Sequence, residues 1–257
     1  MGRRERGPQP AMTPSANKWA RVARHPALGA DEVHVWCARL DQPSEVIAQL
    51  RALLAPDELA RAGRYHFEKD ARHFVAGRGI LRTLLGRYLA RPPEHLCFEA
   101  NAYGKPALAG GGPLSFNLSH SRGLALYAFT RGRAVGIDIE HVGAKVDCRQ
   151  LAGHYFSPRE VRTLLSLPDG SQRRAFFDCW TRKEAYIKAR GEGLSRRLDA
   201  FDVSLAPGEP ATLLRSDDPE GEGVCWSLRE LSVADDYAAA IAIEGGGWGL
   251  RCWQWSG

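Results

Sequence analysis

The sequence predicts an α+β fold made of two similar subdomains that meet near residue 134. Two observations carry this. Helical and strand-like segments come in two consecutive rounds rather than as a strict βαβ series, which favours helices packed beside mixed or antiparallel strands. Each round also places a long helix, rich in aromatic and basic residues, before its second run of strands. The expected division is a disordered basic tail over 1–18, an N-terminal subdomain over 19–134 and a C-terminal subdomain over 135–257.

The elements follow in order. "DEVHVWCARL" (31–40) alternates as a strand does, and "SEVIAQLRALL" (44–54) has helical periodicity with Ser44 as a candidate N-cap. Pro56 opens a long helical stretch to residue 89 that is expected to break near 67–70. Its arginines at 61, 64, 72, 78, 82 and 87 form no single stripe, so a solvated polar surface accounts for them as well as a binding site does. "LCFEANAYGKPALA" (96–109) reads as a strand interrupted by a turn at Gly104 and Pro106. "LALYAFT" (124–130), the short turn "RGR" and "AVGIDIE" then suggest a β-hairpin. "SPREVRTLLSL" (157–167) is a helix whose Ser157 and Glu160 make a capping box, and a second helix over about 171–190 ends at Gly191. "FDVSLA", "ATLLRS", "VCWSLREL", "YAAAIAI" and "WGLRCWQW" are short strands separated by Gly, Pro and Asp.

Composition excludes several classes. At 257 residues, 44% hydrophobic and 25% charged, the chain is an ordinary globular protein with enough apolar residues for a real core. No apolar run of about 18 residues exists to span a membrane. The opening "MGRRERGPQPAMTPSANK" lacks the apolar centre of a secretory signal, and it lacks the amphipathic pattern of a transit peptide despite its arginines. Cys37, Cys97, Cys148, Cys179, Cys225 and Cys252 are dispersed with no CxxC, which speaks against zinc and a disulfide framework and for a reducing, cytoplasmic setting. A net charge of +5 suits a nucleic acid, a phosphate-rich small molecule or an acidic protein as partner. No platform of interleaved aromatic and basic residues is present, so nucleic acid is not expected.

Three segments carry chemistry. In "VGIDIE" (135–140), Asp138 and Glu140 share one face of a strand and repel. In "FFDCWTRKEAYIKARGEG", Trp180, Glu184 and Lys188 recur every fourth residue and line one helix face. In "FNLSHSRG" (116–123), Asn117, Ser119, His120 and Ser121 gather polar donors in an expected turn, where phosphate is well met. Ser119 and His120 are adjacent and so poorly placed for a nucleophile and its base. Each segment alone also has an ordinary account: acids on a solvated strand, a helical Glu–Lys pair, a polar turn. Together, three carboxylates from a strand and a helix suit Mg²⁺, a hard cation that keeps waters and binds substrate phosphates.

"YGKP" (103–106), "FNLSHS" (116–121), "VGIDIE" (135–140), "FSPRE" (156–160) and "WTRKEAYIKARGEGLS" (180–195), in this order and spacing, resemble the Sfp-type 4′-phosphopantetheinyl transferases. The resemblance implies a pseudo-twofold pair of α+β subdomains with the active site between them. It also implies transfer of the phosphopantetheine arm of coenzyme A to a serine of an apo acyl, peptidyl or aryl carrier protein, releasing adenosine 3′,5′-bisphosphate. By the same resemblance Asp138, Glu140 and Glu184 hold Mg²⁺, or Mn²⁺ in its place, and Lys188 contacts the pyrophosphate. Lys105, Pro106 and Ser119 border the adenine; His120 meets the 3′-phosphate, helped by Arg72 and Arg64 of the basic region. The implied catalytic set is Asp138, Glu184 and Lys188, with Glu184 or a metal-bound water that it polarises as the candidate base, and the implied state is a monomer. Leu151, Tyr155 and Phe156 beside Lys145 and Arg149 are the candidate anchor for an acidic carrier, although Tyr155 and Phe156 also read as core. A non-catalytic relative is the alternative from another class; loss of a metal-binding acid or of Lys188 would mark it, and neither is lost.

Overall fold

Strand side chains alternate between two faces, and here both faces of both main sheets are covered. The computed structural model describes residues 19–21, 25–193, 196–216 and 225–257, so the predicted tail over 1–18 lies outside the described residues. The first sheet contains β1 (Glu32–Arg39), β4 (Leu114–Ser121), β5 (Leu124–Arg131) and β11 (Gly249–Gln254) in the order β11-β1-β5-β4. The second contains β6 (Val135–His141), β9 (Trp226–Glu230) and β10 (Tyr237–Glu244) in the order β6-β10-β9. Val33, Val35, Leu126 and Ala128 of the first sheet pack with Val135, Ile137, Ile139, Ile241 and Ile243 of the second. The other faces carry one long helix each. Trp36, Tyr127 and Phe129 pack under Ile80, Leu81 and Leu84 of α3 (Glu68–Leu89), while Ala238, Ala240 and Ala242 lie under Ala185 and Ala189 of α6 (Asp169–Arg190). The layers are therefore helix, sheet, sheet, helix, in agreement with the predicted α+β class. Small residues on β10 let α6 sit close to its sheet.

Shorter elements frame this stack. Helices α1 (Ser44–Arg51) and α2 (Pro56–Ala62) precede α3, and α4 (Cys148–Tyr155) and α5 (Pro158–Ser166) precede α6. Two small hairpins, β2 (Phe98–Ala100) with β3 (Pro106–Leu108) and β7 (Phe201–Val203) with β8 (Leu213–Ser216), complete the two halves. The expected break before α3 and the Ser157–Glu160 capping box are both present. The last strand, β11, returns to the first sheet and pairs parallel with β1, Trp36 opposite Trp253.

Three expectations are corrected. β5 and β6 do not form a hairpin. Both edges of β5 are taken, by β1 and β4, so β6 pairs antiparallel with β10, Asp138 opposite Ala240 and Glu140 opposite Ala238. "FNLSHSRG" is not mainly a turn: residues 114–121 are strand β4, and the reversal is confined to Arg122 and Gly123 at φ 45° and 82°. Positive φ at both positions is what a tight two-residue hairpin requires, and Gly123 meets it without strain. Ser44 does not cap α1; Pro43 occupies that position and no side chain caps the helix. Helix α4 was not anticipated, although Asp147 caps it by accepting from Arg149 N and Gln150 N.

Candidate active site

β4 and β6 lie side by side in different sheets, and side chains join them. Asn117, Ser119 and Ser121, spaced by two on β4, all reach toward β6. Asn117 Oδ1 accepts from Ile137 N at 2.9 Å, Ser119 Oγ donates to Asp138 Oδ1 at 2.8 Å, and Ser121 Oγ donates to Glu140 Oε2 at 2.9 Å. Ser121 Oγ also accepts from His141 N at 3.1 Å. Sequence reasoning grouped these residues as polar donors and missed their common target. The period-two pattern Asn-x-Ser-x-Ser was the available signal.

From the other side, α6 lays Lys188 over the same strand. Its Nζ donates to Asp138 Oδ1 at 2.6 Å and to Ser119 Oγ at 3.1 Å. The helical pair with Glu184 that the spacing allows is thus not the one formed; Lys188 bonds β6 instead. Asp138 is only 3% exposed, and its Oδ2 is buried with no hydrogen-bond partner. Burial pushes the Glu140 carboxyl up, and the Asp138 charge adds to the effect. Glu184 is raised in the same way, by burial first, then by Asp138 and Glu140, with Lys188 opposing. The acids therefore face one another with less positive charge than they need.

Among the described residues, no three His, Cys, Asp or Glu side chains are drawn together tightly enough to hold one metal ion as they stand. Their chemistry still fits a hard cation. All three are carboxylates, two are raised by burial first and then by their neighbours' charge, and Asp138 Oδ2 is a buried acceptor lacking a donor.

His120 projects from the opposite face of β4 to Ser119 and Ser121. Surrounding protein lowers its imidazole below the usual histidine range, and the positive charges of Lys188 and His73 add to this. His73 belongs to a pocket of about 500 Å³ lined by Leu40, Asp41, Gln42, Glu68, Lys69, Arg72 and His73. There Asp41 Oδ1 holds His73 Nε2 at 2.7 Å, and Arg72 Nη2 donates to Gln42 O at 2.9 Å. Arg64 is exposed in the α2–α3 connection and does not line this pocket. Arg82, by contrast, is buried: it and Arg78 bond the buried Glu58, and both stack on Phe98. These two arginines serve the interior rather than a solvated surface.

Lys105 and Pro106 lie at the β2–β3 hairpin, Pro106 half-buried at the start of β3. Two protons of the Lys105 ammonium are already given, to Val135 O at 3.0 Å and Ala189 O at 3.1 Å, and burial lowers its pKa to about 8. On the α4 side, Phe156 is core, stacked on Phe176 at 5.2 Å, whereas Tyr155 is 45% exposed. Leu151 is half-buried, Lys145 exposed, and Arg149 pairs with Asp169 at 2.6 Å while remaining open to solvent.

Two family models match the chain: the 4′-phosphopantetheinyl transferase superfamily over residues 134–242, and the N-terminal region of 4′-phosphopantetheinyl transferase over residues 41–130. The 4′-phosphopantetheinyl transferase HetI of Nostoc sp. is 42% identical over 240 residues, covering 92% of this chain and 98% of that protein. The 4′-phosphopantetheinyl transferase psf-1 of Bacillus pumilus is 36% identical over 198 residues, covering 77% and 82% of the two chains. The Sfp enzyme of Bacillus subtilis, also a 4′-phosphopantetheinyl transferase, is 30% identical over 205 residues, covering 79% and 88%.

Proposed function

The chain belongs to the 4′-phosphopantetheinyl transferase superfamily and is a transferase, and from that premise we propose how its cleft works and what it serves. The phosphopantetheine arm of coenzyme A passes to a serine of an apo carrier protein. The observation that carries the assignment of the site is the Lys188–Asp138–Ser119 cluster, flanked by two acids with raised carboxyls.

The serine oxygen attacks the pyrophosphate phosphorus that bears the pantetheine arm. The bond from that phosphorus to the bridging oxygen breaks, and adenosine 3′,5′-bisphosphate departs with the oxygen. Lys188, held by Asp138 at 2.6 Å, presents a fixed ammonium to the pyrophosphate and needs no reorganisation as charge moves to the leaving group. Glu184 receives the serine proton. Asp138, Glu140 and Glu184 are the residues that would hold Mg²⁺ or Mn²⁺, and the ion, when bound, neutralises charge on the pyrophosphate. Arg72 and Lys69 line the pocket assigned to the 3′-phosphate; His120, which feels the charge of His73 in that pocket, is the third group, with Arg64 farther out, while Pro106, Ser119 and the Lys105 backbone are assigned to the adenine.

The partner is an acidic carrier, steered by the net charge of +5 and anchored on Tyr155 and Leu151 beside Arg149 and Lys145. The enzyme acts as a cytoplasmic monomer. Six free thiols support that compartment, and among the described residues no helix is long and apolar enough to cross a membrane. The test is to incubate the purified protein with coenzyme A, Mg²⁺ and several apo carriers and weigh each carrier intact. A gain of one phosphopantetheine group, abolished by chelation, is expected. No gain on any carrier overturns the reading.

A further inference from the structure

Three independent contacts converge on the last turns of α6. At Gly136 the strand carries no side chain, and a methyl group there would overlap Ala185 O and Ala189 N of the helix backbone. One hairpin residue, Lys105, bridges the two elements, donating to Ala189 O on the helix and to Val135 O at the start of β6. The other, Asn101, donates from Nδ2 to Gly191 O at 2.7 Å, where the helix ends in a left-handed residue. Its Oδ1 accepts from Tyr103 N and Lys105 N, both at 2.9 Å, so the same side chain shapes the hairpin tip that delivers Lys105. The last carbonyls of a helix have no partner within it and carry the negative end of its dipole. An ammonium and an amide satisfy them here.

We propose that Asn101, Lys105 and Gly136 form a clamp that sets the height and rotation of α6 against β6, and are positioning residues for Lys188 and Glu184. The geometry makes the coupling direct. Asp138 is on the same face of β6 as Gly136, one position along that face, and Lys188 adjoins Ala189 on the helix. A slip at the clamp is therefore a slip of Lys188 relative to Asp138, and a misplacement of about 1 Å in such a group costs on the order of 10²-fold in rate. The ammonium of Lys105 thus works inward, on the helix, rather than on the ligand that its backbone borders. The kinetic part of this inference rests on the transfer reaction proposed above.

The experiment compares the full-length protein with Lys105→Met, Asn101→Ala and Lys105→Arg, reading transfer kinetics and amide hydrogen exchange. In Lys105→Met, kcat is expected to fall at least about tenfold while KM for coenzyme A stays within about threefold, because ground-state binding is kept and alignment is lost. Amides of residues 185–191 exchange faster in Lys105→Met and Asn101→Ala, and Lys105→Arg recovers most of the turnover. A raised KM with unchanged kcat would instead make Lys105 a ligand contact and overturn the clamp. Unchanged exchange over 185–191 overturns it as well. Should the wild-type protein transfer nothing, the proposed reaction fails and the exchange measurement alone decides the clamp. Asn101→Ala, at an exposed position, supplies the answer where Lys105→Met does not fold.

Discussion

Lys188 Nζ lies 2.6 Å from Asp138 Oδ1, a bond between residues 50 positions apart, and Ser119 Oγ closes the triangle at 2.8 Å from the acid and 3.1 Å from the amine. The relationship joins the helix of one half to the strand beneath it and to the neighbouring sheet.

Asp138→Asn keeps the shape of a side chain that is 3% exposed while removing its charge. Lys188 loses its anchor and the acid cluster one member, so transfer is expected to fall by on the order of 10²-fold or more. Folding survives, because Glu140 and Glu184 are relieved of a like charge that raises both carboxyls. Intact-mass kinetics paired with a thermal melt separate the two effects. Wild-type turnover in this variant would remove Asp138 from the machinery.

Asn117→Leu leaves the buried Ile137 N–H without its acceptor across the sheet junction. An orphaned buried donor costs about 1–3 kcal/mol, read as a lower denaturant midpoint at unchanged slope. A shift below a few tenths of a kcal/mol would mean that the side-chain bridges between β4 and β6 contribute nothing to docking the sheets.

Acid sensitivity is set far from the cleft. Trp36 Nε1 donates to Tyr88 Oη at 2.8 Å, the same hydroxyl lies 2.8 Å from His34 Nδ1, and His34 Nε2 lies 3.4 Å from Glu32 Oε2. His25 packs edge-on against Tyr88, with a ring nitrogen buried and unpartnered. Burial lowers both histidines to about 4, with Arg87 adding to the effect at His25. The unfolded chain therefore takes up protons first. Stability is full above the ordinary histidine pKa of about 6.5 and falls as pH drops from there toward 4. For His34, only 1% exposed, the slope approaches about 1.4 kcal/mol per pH unit. Urea midpoints at a series of pH values check this, and His34→Asn should flatten the window.

Arg149→Glu reverses a solvent-open charge beside the exposed Tyr155 and gives up the pair with Asp169. Carrier binding is expected to weaken and to lose part of its salt dependence, while KM for coenzyme A holds. Titration of an apo carrier at two ionic strengths reads both quantities, and an unchanged carrier affinity would move the docking surface elsewhere.

Local chemistry made much of this legible. Ser157 with Glu160, Gly191 after α6 and the Gly104–Pro106 turn act on neighbours a few residues away, and each is where the spacing puts it. The acids at 138 and 140 share a face because a strand alternates, whatever it pairs with. Pairing itself was not legible. β6 left β5 because both edges of β5 were occupied, and one of those occupants, β4, looked like a turn in its polar residues. The arginines of α3 likewise read as a solvated polar surface or a binding site until Glu58 and Phe98, brought from outside the helix, drew Arg78 and Arg82 inward.

By itself, then, the sequence determined the periodicities, the Ser157–Glu160 and Gly191 caps and the motifs, and with them the family, since these rest on short-range sterics and on residue types. Only the tertiary structure decided that Lys188 bonds Asp138 rather than Glu184, that Asn117, Ser119 and Ser121 tie two sheets together, and that Lys105 turns inward to the end of α6. Those contacts join residues distant in the chain. They exist because buried polar groups must find partners wherever packing places them.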